Sequence, residues 1–419
     1  MSRLEPGESR LTAAVQSKPR ARYAAKRDAI MAAATKVFAD QGMSGFTLAA
    51  VAKRMDLHPV SLTYYFKRKE DLAAAVLHDT IRRFAEMLDQ AEAFHSPADR
   101  LRTFVAAYFE TRRRIALGEE IPLAPFSEVY LVEGDQKQPV IDSFESLYVR
   151  IGRLLKSDDT PWVGAPRRQG MARLVVNQLT WSDTWLPSYE PQDYPRVAER
   201  LADIMVGGLA AAGQAWPDHQ LLDLGAPSAE NDEVTRDRFL IAATKLINRE
   251  GYRGASVDKI SAELKVTKGS FYHHNADKDE LAVACFERTF DLIDQAKREA
   301  AQAEPGWTRL WLAVASLGMH QAASGGGAIL RHHAMAAVPH AMRRQMFVRF
   351  QQIAHSFAGI ISDGVADGSI RPVDPLLAAH ALMVGFNACL PLDPKKSPAV
   401  TTGVVEEYLR PVLLGFFVK

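Results

Sequence analysis

Two short stretches concentrate hydroxyls, rings and bases in a way that a plain helical surface does not require. They read LHPVSLTYYFKRKEDL from Leu57 to Leu72 and VTKGSFYHHNADKDEL from Val266 to Leu281. The hydroxyl groups, and the neighbouring pair His273 and His274, are suited to donate hydrogen bonds to phosphate oxygens or base edges. Lysines such as Lys69, Lys268 and Lys278 supply charge that displaces counterions from a duplex, and Gly269 lets backbone approach it closely. A generic helical bundle has no reason to load one short helix with these groups.

These residues need an element that presents them, and the chain builds that element twice. RDAIMAAATKVFADQGMSGFTLAAVAKRMDLHPVSLTYYFKRKEDLA from Arg27 reappears, diverged, as RDRFLIAATKLINREGYRGASVDKISAELKVTKGSFYHHNADKDELA from Arg236, at a gapless offset of 209. Solenoid repeats have periods of ~20 to 50 residues, so a period this long means duplication of whole domains. In copy one, Ile30, Ala33, Ala34, Val37 and Phe38 recur at helical spacing and stop at Gly42; in copy two, Phe239, Ala242, Ala243 and Leu246 stop at Gly251. Thr47 and Ser256 are placed to cap a short second helix. A third helix starts at His58-Pro59 in one copy, with proline suited to the first turn, and at the cap Thr267 in the other. Leu62, Phe66 and Phe271 point to the core, and one of Tyr64 or Tyr65 is read as either core or surface. Long helix, short helix, tight turn and short helix form the helix-turn-helix pattern, whose second short helix fits a DNA major groove.

Both stretches resemble the recognition-helix signature of the TetR family: apolar, Ser/Thr, Lys, Gly, Ser/Thr, apolar, Tyr, any, His/Tyr, Phe, then Lys and an acid. Copy one departs from it with Pro59 and Val60 in place of Lys-Gly and Thr63 in place of tyrosine, and copy two has Asn275 where copy one keeps Phe66. The resemblance implies that the DNA-contacting positions are His58, Pro59, Ser61, Thr63, Tyr64, Tyr65 and Lys69 in the first half. In the second they are Thr267, Lys268, Gly269, Ser270, Tyr272, His273, His274 and Lys278. Thr47 and Ser256 join them by capping a helix whose N-terminus attracts phosphate. It also implies an all-α fold of two TetR-like halves, each a three-helix helix-turn-helix domain followed by a helical effector and dimerisation domain. Family members pair through their last two long helices, which here occur twice in one chain, so the expectation is an intramolecular pseudo-dimer.

The expected organisation is a basic N-terminal arm at 1–22, with helix-turn-helix domains at 23–71 and 233–280. Helical domains at 72–214 and 281–419 follow them, and a linker runs over 215–232. The arm, with Lys18, Arg20, Arg22, Lys26 and Arg27 in or beside it, is read as either a phosphate-tracking segment or a solvated tail. Helices are expected near 72–93, 97–116, 139–155, 167–186 and 195–212, then near 277–303, 307–323, 328–337, 340–368, 374–390 and 401–418. Gly207, Gly208 and Leu209, with Gly385, Phe386 and Ala388, offer mostly small residues where helices cross closely. The linker mixes proline, glycine and acid, with Leu221 and Leu222 as docking points.

The family habit of sensing small molecules implies an effector pocket. Its candidates are Tyr108, Phe126, Tyr130, Trp181 and Trp185 in the first half, and Trp311, His320, His332, Met335 and Phe350 in the second, with core filling as the competing reading of each ring. The expected partners are a double-stranded DNA operator and an effector of unnamed identity, with repression as the mode and the chain either a monomer or a further dimer. The alternative is a helical small-molecule-binding scaffold that has lost DNA binding in one or both halves.

Other classes fit poorly. The sequence of 419 residues has 47% hydrophobic and 24% charged residues and a net charge of +1, ordinary for a globular chain, so only local charge distribution bears on DNA. No nucleophile elbow, zinc-protease helix or dinucleotide fingerprint occurs, and no enzyme is expected. His320, His332, His333, His340 and His355 lack acidic or cysteine partners at ligand spacing, so neither metal nor cofactor is expected. Gly325 to Gly327 has no Gly-Lys-Ser/Thr after it and reads as a connector. Cys285 and Cys389 are read as buried thiols in a reducing cytoplasm. No secretory signal or spanning stretch is read, for Leu376 to Leu390 contains His380 and Asn387.

Overall fold

The computed structural model describes residues 8–158, 160–161, 163–225, 236–274, 277–323, 329–331, 340–389 and 401–418. In the first half the helices are α1 (Glu8–Gly45), α2 (Leu48–Arg54), α3 (Pro59–Thr63), α4 (Lys69–Glu92), α5 (Pro97–Ala116), α6 (Lys137–Leu154), α7 (Ala165–Trp185) and α8 (Tyr194–Gly207). The second half has α9 (Arg236–Gly254), α10 (Val257–Glu263), α11 (Lys268–His274), α12 (Lys278–Ala300), α13 (Gly306–Ala323), α14 (His340–Ala366), α15 (Pro375–Asn387) and α16 (Thr401–Leu414). Outside these helices and short helical turns, the described residues contain one isolated antiparallel bridge, Ala210 with Ile370. No helix of the described residues is long and apolar enough to cross a membrane.

Local sequence explains the helix ends. Gly42 and Gly251 break α1 and α9 with φ of 62° and 73°, a region that glycine enters without a Cβ penalty. Residues 8–22, expected as an arm, continue α1 as helix; the side chains of Lys18 and Arg20 lie outside the described residues. The helix expected over 195–212 stops at Gly207, because Gly208 turns the backbone to φ 66°. Of the helix expected over 328–337, residues 329–331 are described and are not helical, while Gly325 to Gly327, His332, His333 and Met335 lie outside the described residues, as does the side chain of His340.

Two compact units emerge. The first comprises residues 1–84 and 117–145. Its core holds Ile30, Ala34, Val37, Phe38, Phe46, Val51, Leu62 and Phe66, all buried. The segment after α5 adds Phe126, whose ring lies 4.8 Å from Phe84 and 4.7 Å from Phe144. Polar contacts fix this segment: the Arg83 guanidinium donates to the carbonyls of Ile121 and Pro122, both at 3.1 Å. Glu128 accepts the Met43 N–H at 2.6 Å beside the Gly42 break.

The second unit comprises residues 85–116 and 146–419, and it joins material from both halves. Helices α7 and α8 of the first half pack against α15 and α16 of the second. Helices from both halves of the sequence therefore pack together within this unit. Gln178 donates to the Ala381 carbonyl at 2.9 Å in the interior of this contact, and Trp185 stacks on His380 at 5.1 Å. Arg371 closes it from the edge, with Nε donating to the Gly208 carbonyl at 2.7 Å and the fork meeting the Asp203 carboxylate at 2.7 Å. Chain from the linker region lies on α13: Trp307 Nε1 donates to the Ala215 carbonyl at 3.2 Å, and Trp216 meets Trp311 edge-on at 5.8 Å. Leu221 and Leu222, expected as the docking points, are half-buried, while Leu224 is buried.

His380 makes the pairing of the halves sensitive to pH. Its ring is 3% exposed, and burial, reinforced by the charge of His355 and opposed by Asp374, holds its pKa down to about 4 against an ordinary 6.5. Below 6.5 the unfolded chain takes up a proton that the folded one refuses. Stability at this site is therefore full above 6.5 and falls towards pH 4 at about 1.4 kcal/mol per pH unit. Melting temperatures measured across that range should drop more steeply for the wild type than for His380→Phe, which keeps a ring against Trp185. Parallel curves would remove His380 as the cause.

Candidate nucleic-acid interface

Each half builds its helix-turn-helix unit from equivalent local devices. Thr47 Oγ1 accepts the Ala50 N–H at 3.0 Å to cap α2, and Ser256 Oγ accepts the equivalent Lys259 N–H at 3.3 Å to cap α10. The turn that follows is closed by Leu57 N–H to the Ala52 carbonyl in one copy and Val266 N–H to the Ser261 carbonyl in the other, both at 2.9 Å. At its apex stand Asp56 and Lys265, equivalent residues with φ of 53° and 57°. Neither is glycine, so each copy accepts a left-handed strain of about 1 to 2 kcal/mol to make the turn.

The third helices are anchored by one face. Leu62 and Phe271 are fully buried and Phe66 nearly so, with Phe239 edge-on to Phe271 at 5.9 Å and the Arg27 guanidinium over the Phe66 ring. The opposite face is solvent-facing, where Val60, Tyr64 and Tyr272 are 67%, 76% and 58% exposed. His58, Pro59, Ser61, Thr63, Thr267, Lys268 and Gly269 are also exposed, and Tyr65, Lys69, Ser270 and Lys278 are half-buried. Pro59 occupies the first turn of α3, and His58 precedes it without a side-chain cap bond. Thr267 Oγ1 accepts the Ser270 N–H at 3.3 Å. The side chains of His273 and His274, and Asn275 altogether, lie outside the described residues.

Some predicted contacts carry intramolecular partners. Lys268 pairs with Asp258 at 2.5 Å, Lys278 sits 4.4 Å from the Tyr252 ring centre, and the Thr63 hydroxyl donates to the Val60 carbonyl at 2.8 Å. Of these only Lys268–Asp258 is an exposed ion pair, which contributes little and is free to exchange for another anion. Arg68 is held by Asp71 and Asp135, which pull its protonation further towards the charged form.

Sequence reasoning missed Tyr23. It lies on α1, 4.8 Å from Tyr65 and stacked on it, and 5.9 Å from Tyr64 at a steep angle. The three rings brace one another on the first reading unit. Asp277, which caps α12 by accepting the Glu280 N–H at 2.8 Å, was also missed. Its N-cap position before an acidic first turn was a usable signal.

The effector candidates scatter. Phe126 and Tyr130 belong to the first unit, where Tyr130 is 47% exposed and its hydroxyl donates to Glu145. In the second unit Tyr108, Trp181, Trp185, Trp311 and Phe350 are buried and His320 half-buried. The Tyr108 hydroxyl donates to Asp183 at 3.0 Å. Trp181 and Phe350, from different halves, line one small cavity, and the other candidates among the described residues do not. Both cysteines are buried, and burial pushes the Cys285 thiol up to about 12, far from a reactive thiolate.

Capped helix pairs around a tight turn, each presenting a hydroxyl- and ring-bearing third helix, define a protein with two helix-turn-helix units. The family profile described as "Bacterial regulatory proteins, tetR family" matches residues 30–76 and again residues 239–285. Both halves of the chain thus open with a TetR-family DNA-binding domain, and the chain is a tandem of two. Among curated relatives, the Transposon Tn10 TetC protein of Escherichia coli is 35% identical over 81 residues, 19% of this chain and 41% of that protein. Transcriptional regulator AcuR of Cereibacter sphaeroides is 25% identical over 40% of this chain and 78% of its own length. HTH-type transcriptional repressor NicS of Pseudomonas putida is 29% identical over 16% of this chain and 32% of its length. The chain therefore spans less than half the length of two of these relatives.

Proposed function

We propose that this chain is a transcriptional repressor whose two unlike reading helices bind a two-part operator and whose helical domains release it when a small molecule binds. The observation that carries this reading is the pair of reading units, equal in backbone devices and unequal in surface. At the equivalent positions, copy one offers Pro59, Val60 and Thr63 where copy two offers Lys268, Gly269 and Tyr272. Pairing of α7 and α8 with α15 and α16 lets one chain do what a dimer otherwise does, and a covalent link makes the second half-site contact effectively intramolecular. The boundaries proposed for the reading domains are 23–71 and 233–280. The name of NicS supports repression as the sign of control.

A mobility shift with the DNA upstream of the chain's own reading frame tests the first step. Retardation should weaken steeply as salt rises, because phosphate contacts release counterions. Salt-independent or absent retardation would favour a scaffold that has lost DNA binding. Tyr272→Ala is expected to weaken operator binding by about 1 to 3 kcal/mol. Its melting temperature should stay near the wild type, since the ring is 58% exposed. A comparable loss of thermal stability would assign Tyr272 to the core.

A further inference from the structure

Residues 329–331 lie outside any helix and are held by side chains from three of them. Asn248 of α9 grips this piece of chain twice: its amide nitrogen donates to the Ile329 carbonyl at 2.9 Å, and its amide oxygen accepts the Arg331 N–H at 2.7 Å. Gln321 of α13 also grips twice, with Nε2 donating to the Ile329 carbonyl at 3.1 Å and Oε1 accepting the Ile329 N–H at 2.8 Å. Thr289 of α12 accepts the Leu330 N–H at 2.9 Å. Ile329 and Leu330 are buried, so their backbone groups need partners from the protein, and an amide side chain can donate and accept at once.

The two ends of this arrangement lie in different places. Asn248 belongs to the helix on which the second reading unit is built, for α9 packs on α10, and Phe239 of α9 meets Phe271 of α11 edge-on. Ile329 lies in the wall of the small cavity that Phe350 and Met383 share with Trp181 from the first half. The tripeptide thus runs from the base of the second reader to a place where the halves meet. The first copy is built otherwise. Thr80, the counterpart of Thr289 at the repeat offset, accepts the Ala124 N–H at 2.9 Å, but the counterpart of Asn248 is Ala39, which has no group to grip with. There Glu128 accepts the Met43 N–H near the end of α1 instead.

We propose that residues 329–331 are a tie that fixes the pose of the second reading unit against its helical domain, and that Asn248 is a positioning residue for DNA binding by that unit. The inference rests on the reading of the chain as a DNA-binding regulator. The tie differs in kind from the packing of α9 on α12: two amide side chains act in series through one peptide, so releasing either end frees the reader. Because Ile329 stands where the halves meet, a change in their pairing is handed to the second reader through the same peptide.

The test is backbone hydrogen exchange of the full chain, set beside its mobility shift. Asn248→Ala removes one end of the tie, and Gln321→Met removes the other at similar volume without touching α9. Either should speed exchange across 236–274 about tenfold and leave 340–387 at the wild-type rate, since exchange reads local opening segment by segment. Each should also retard the upstream DNA about tenfold more weakly, because only the fraction of chains with the reader in place binds. The double variant should be no worse than either single one, as a tie cut at one end is already cut. Faster exchange spread evenly over both segments would mean a plain loss of stability and overturns the proposal, as do unchanged exchange, unchanged retardation, or effects that add in the double variant. If Asn248→Ala does not fold, Asn248→Asp, which keeps the acceptor for the Arg331 N–H, decides by the same readings. A wild type that retards no DNA would overturn the regulator reading and leave exchange to decide the tie, whereas normal retardation with unchanged exchange in the variants would overturn only the tie.

Discussion

Replacing one half of the operator by an inverted copy of the other should weaken binding by about 1 to 3 kcal/mol for each base pair changed, and so by orders of magnitude for a whole half-site. In a dimer of identical chains both readers are the same and the preferred site is a palindrome. Here they differ at exposed positions of the third helices, where the proposed readers would meet base edges. Val60, 67% exposed, offers an apolar contact suited to a thymine methyl, while the equivalent Gly269 offers only backbone. Lys268 can reach a guanine edge once it leaves Asp258, and the equivalent Pro59 has no donor. Tyr64 is held out from the first reader by Tyr23 and Tyr65. With one half-site fixed and the other randomised, selection should return two different motifs, one for each fixed half. A strict palindrome from both selections would sink the idea that the copies diverged in what they read. Exchanging Pro59-Val60 for Lys-Gly should then draw the first reader towards the second motif.

Much of the helix-turn-helix geometry was legible in the sequence, for a physical reason: its signals are local. A helix end at Gly42 or Gly251, a cap at Thr47, Ser256 or Thr267, and a buried Phe66 or Phe271 each follow from residue type and spacing within a few positions. The repeat made those readings stronger, since each device had to work twice. What stayed hidden depends on contacts distant in sequence or on strain. Asp56 and Lys265 take left-handed backbone without glycine, so nothing in their side chains announces the turn. Tyr23 meets Tyr64 and Tyr65 only because α1 continues upstream of the expected domain core. Trp181 and Phe350 were assigned to separate pockets, one in each half, and the pairing of the halves brings them to one cavity. Arg371 sits in the short connection between α14 and α15, where no motif marks a cationic clamp.

Gly208→Ala should be among the most damaging single substitutions outside the reading helices, costing about 4 kcal/mol of stability. Two independent effects add. Gly208 has φ 66° and ψ −160°, a region essentially reserved for glycine, and placing a side chain there costs about 1 to 3 kcal/mol. A Cβ at this position would also come within 2.4 Å of the Gly415 nitrogen and the Leu414 carbonyl carbon, which are backbone atoms that no rotamer change can move. Overpacking of that kind costs a further ~1 to 3 kcal/mol. The crossing cannot simply open. Leu209 and Ala210 N–H groups both donate to the Leu413 carbonyl, at 2.8 and 3.0 Å, Phe416 N–H donates to the Met205 carbonyl, and Arg371 holds the Gly208 carbonyl itself. Since a domain's whole stability is about 5 to 15 kcal/mol, the loss should show in denaturant unfolding as a large fall in midpoint. Gly118→Ala is the control: φ is 75° there too, but nothing lies within 4 Å of the added methyl, so only the backbone cost applies. If Gly208→Ala proves no worse than Gly118→Ala, the chain ends of the two halves do not cross at backbone contact, and this part of their intramolecular pairing is looser than described.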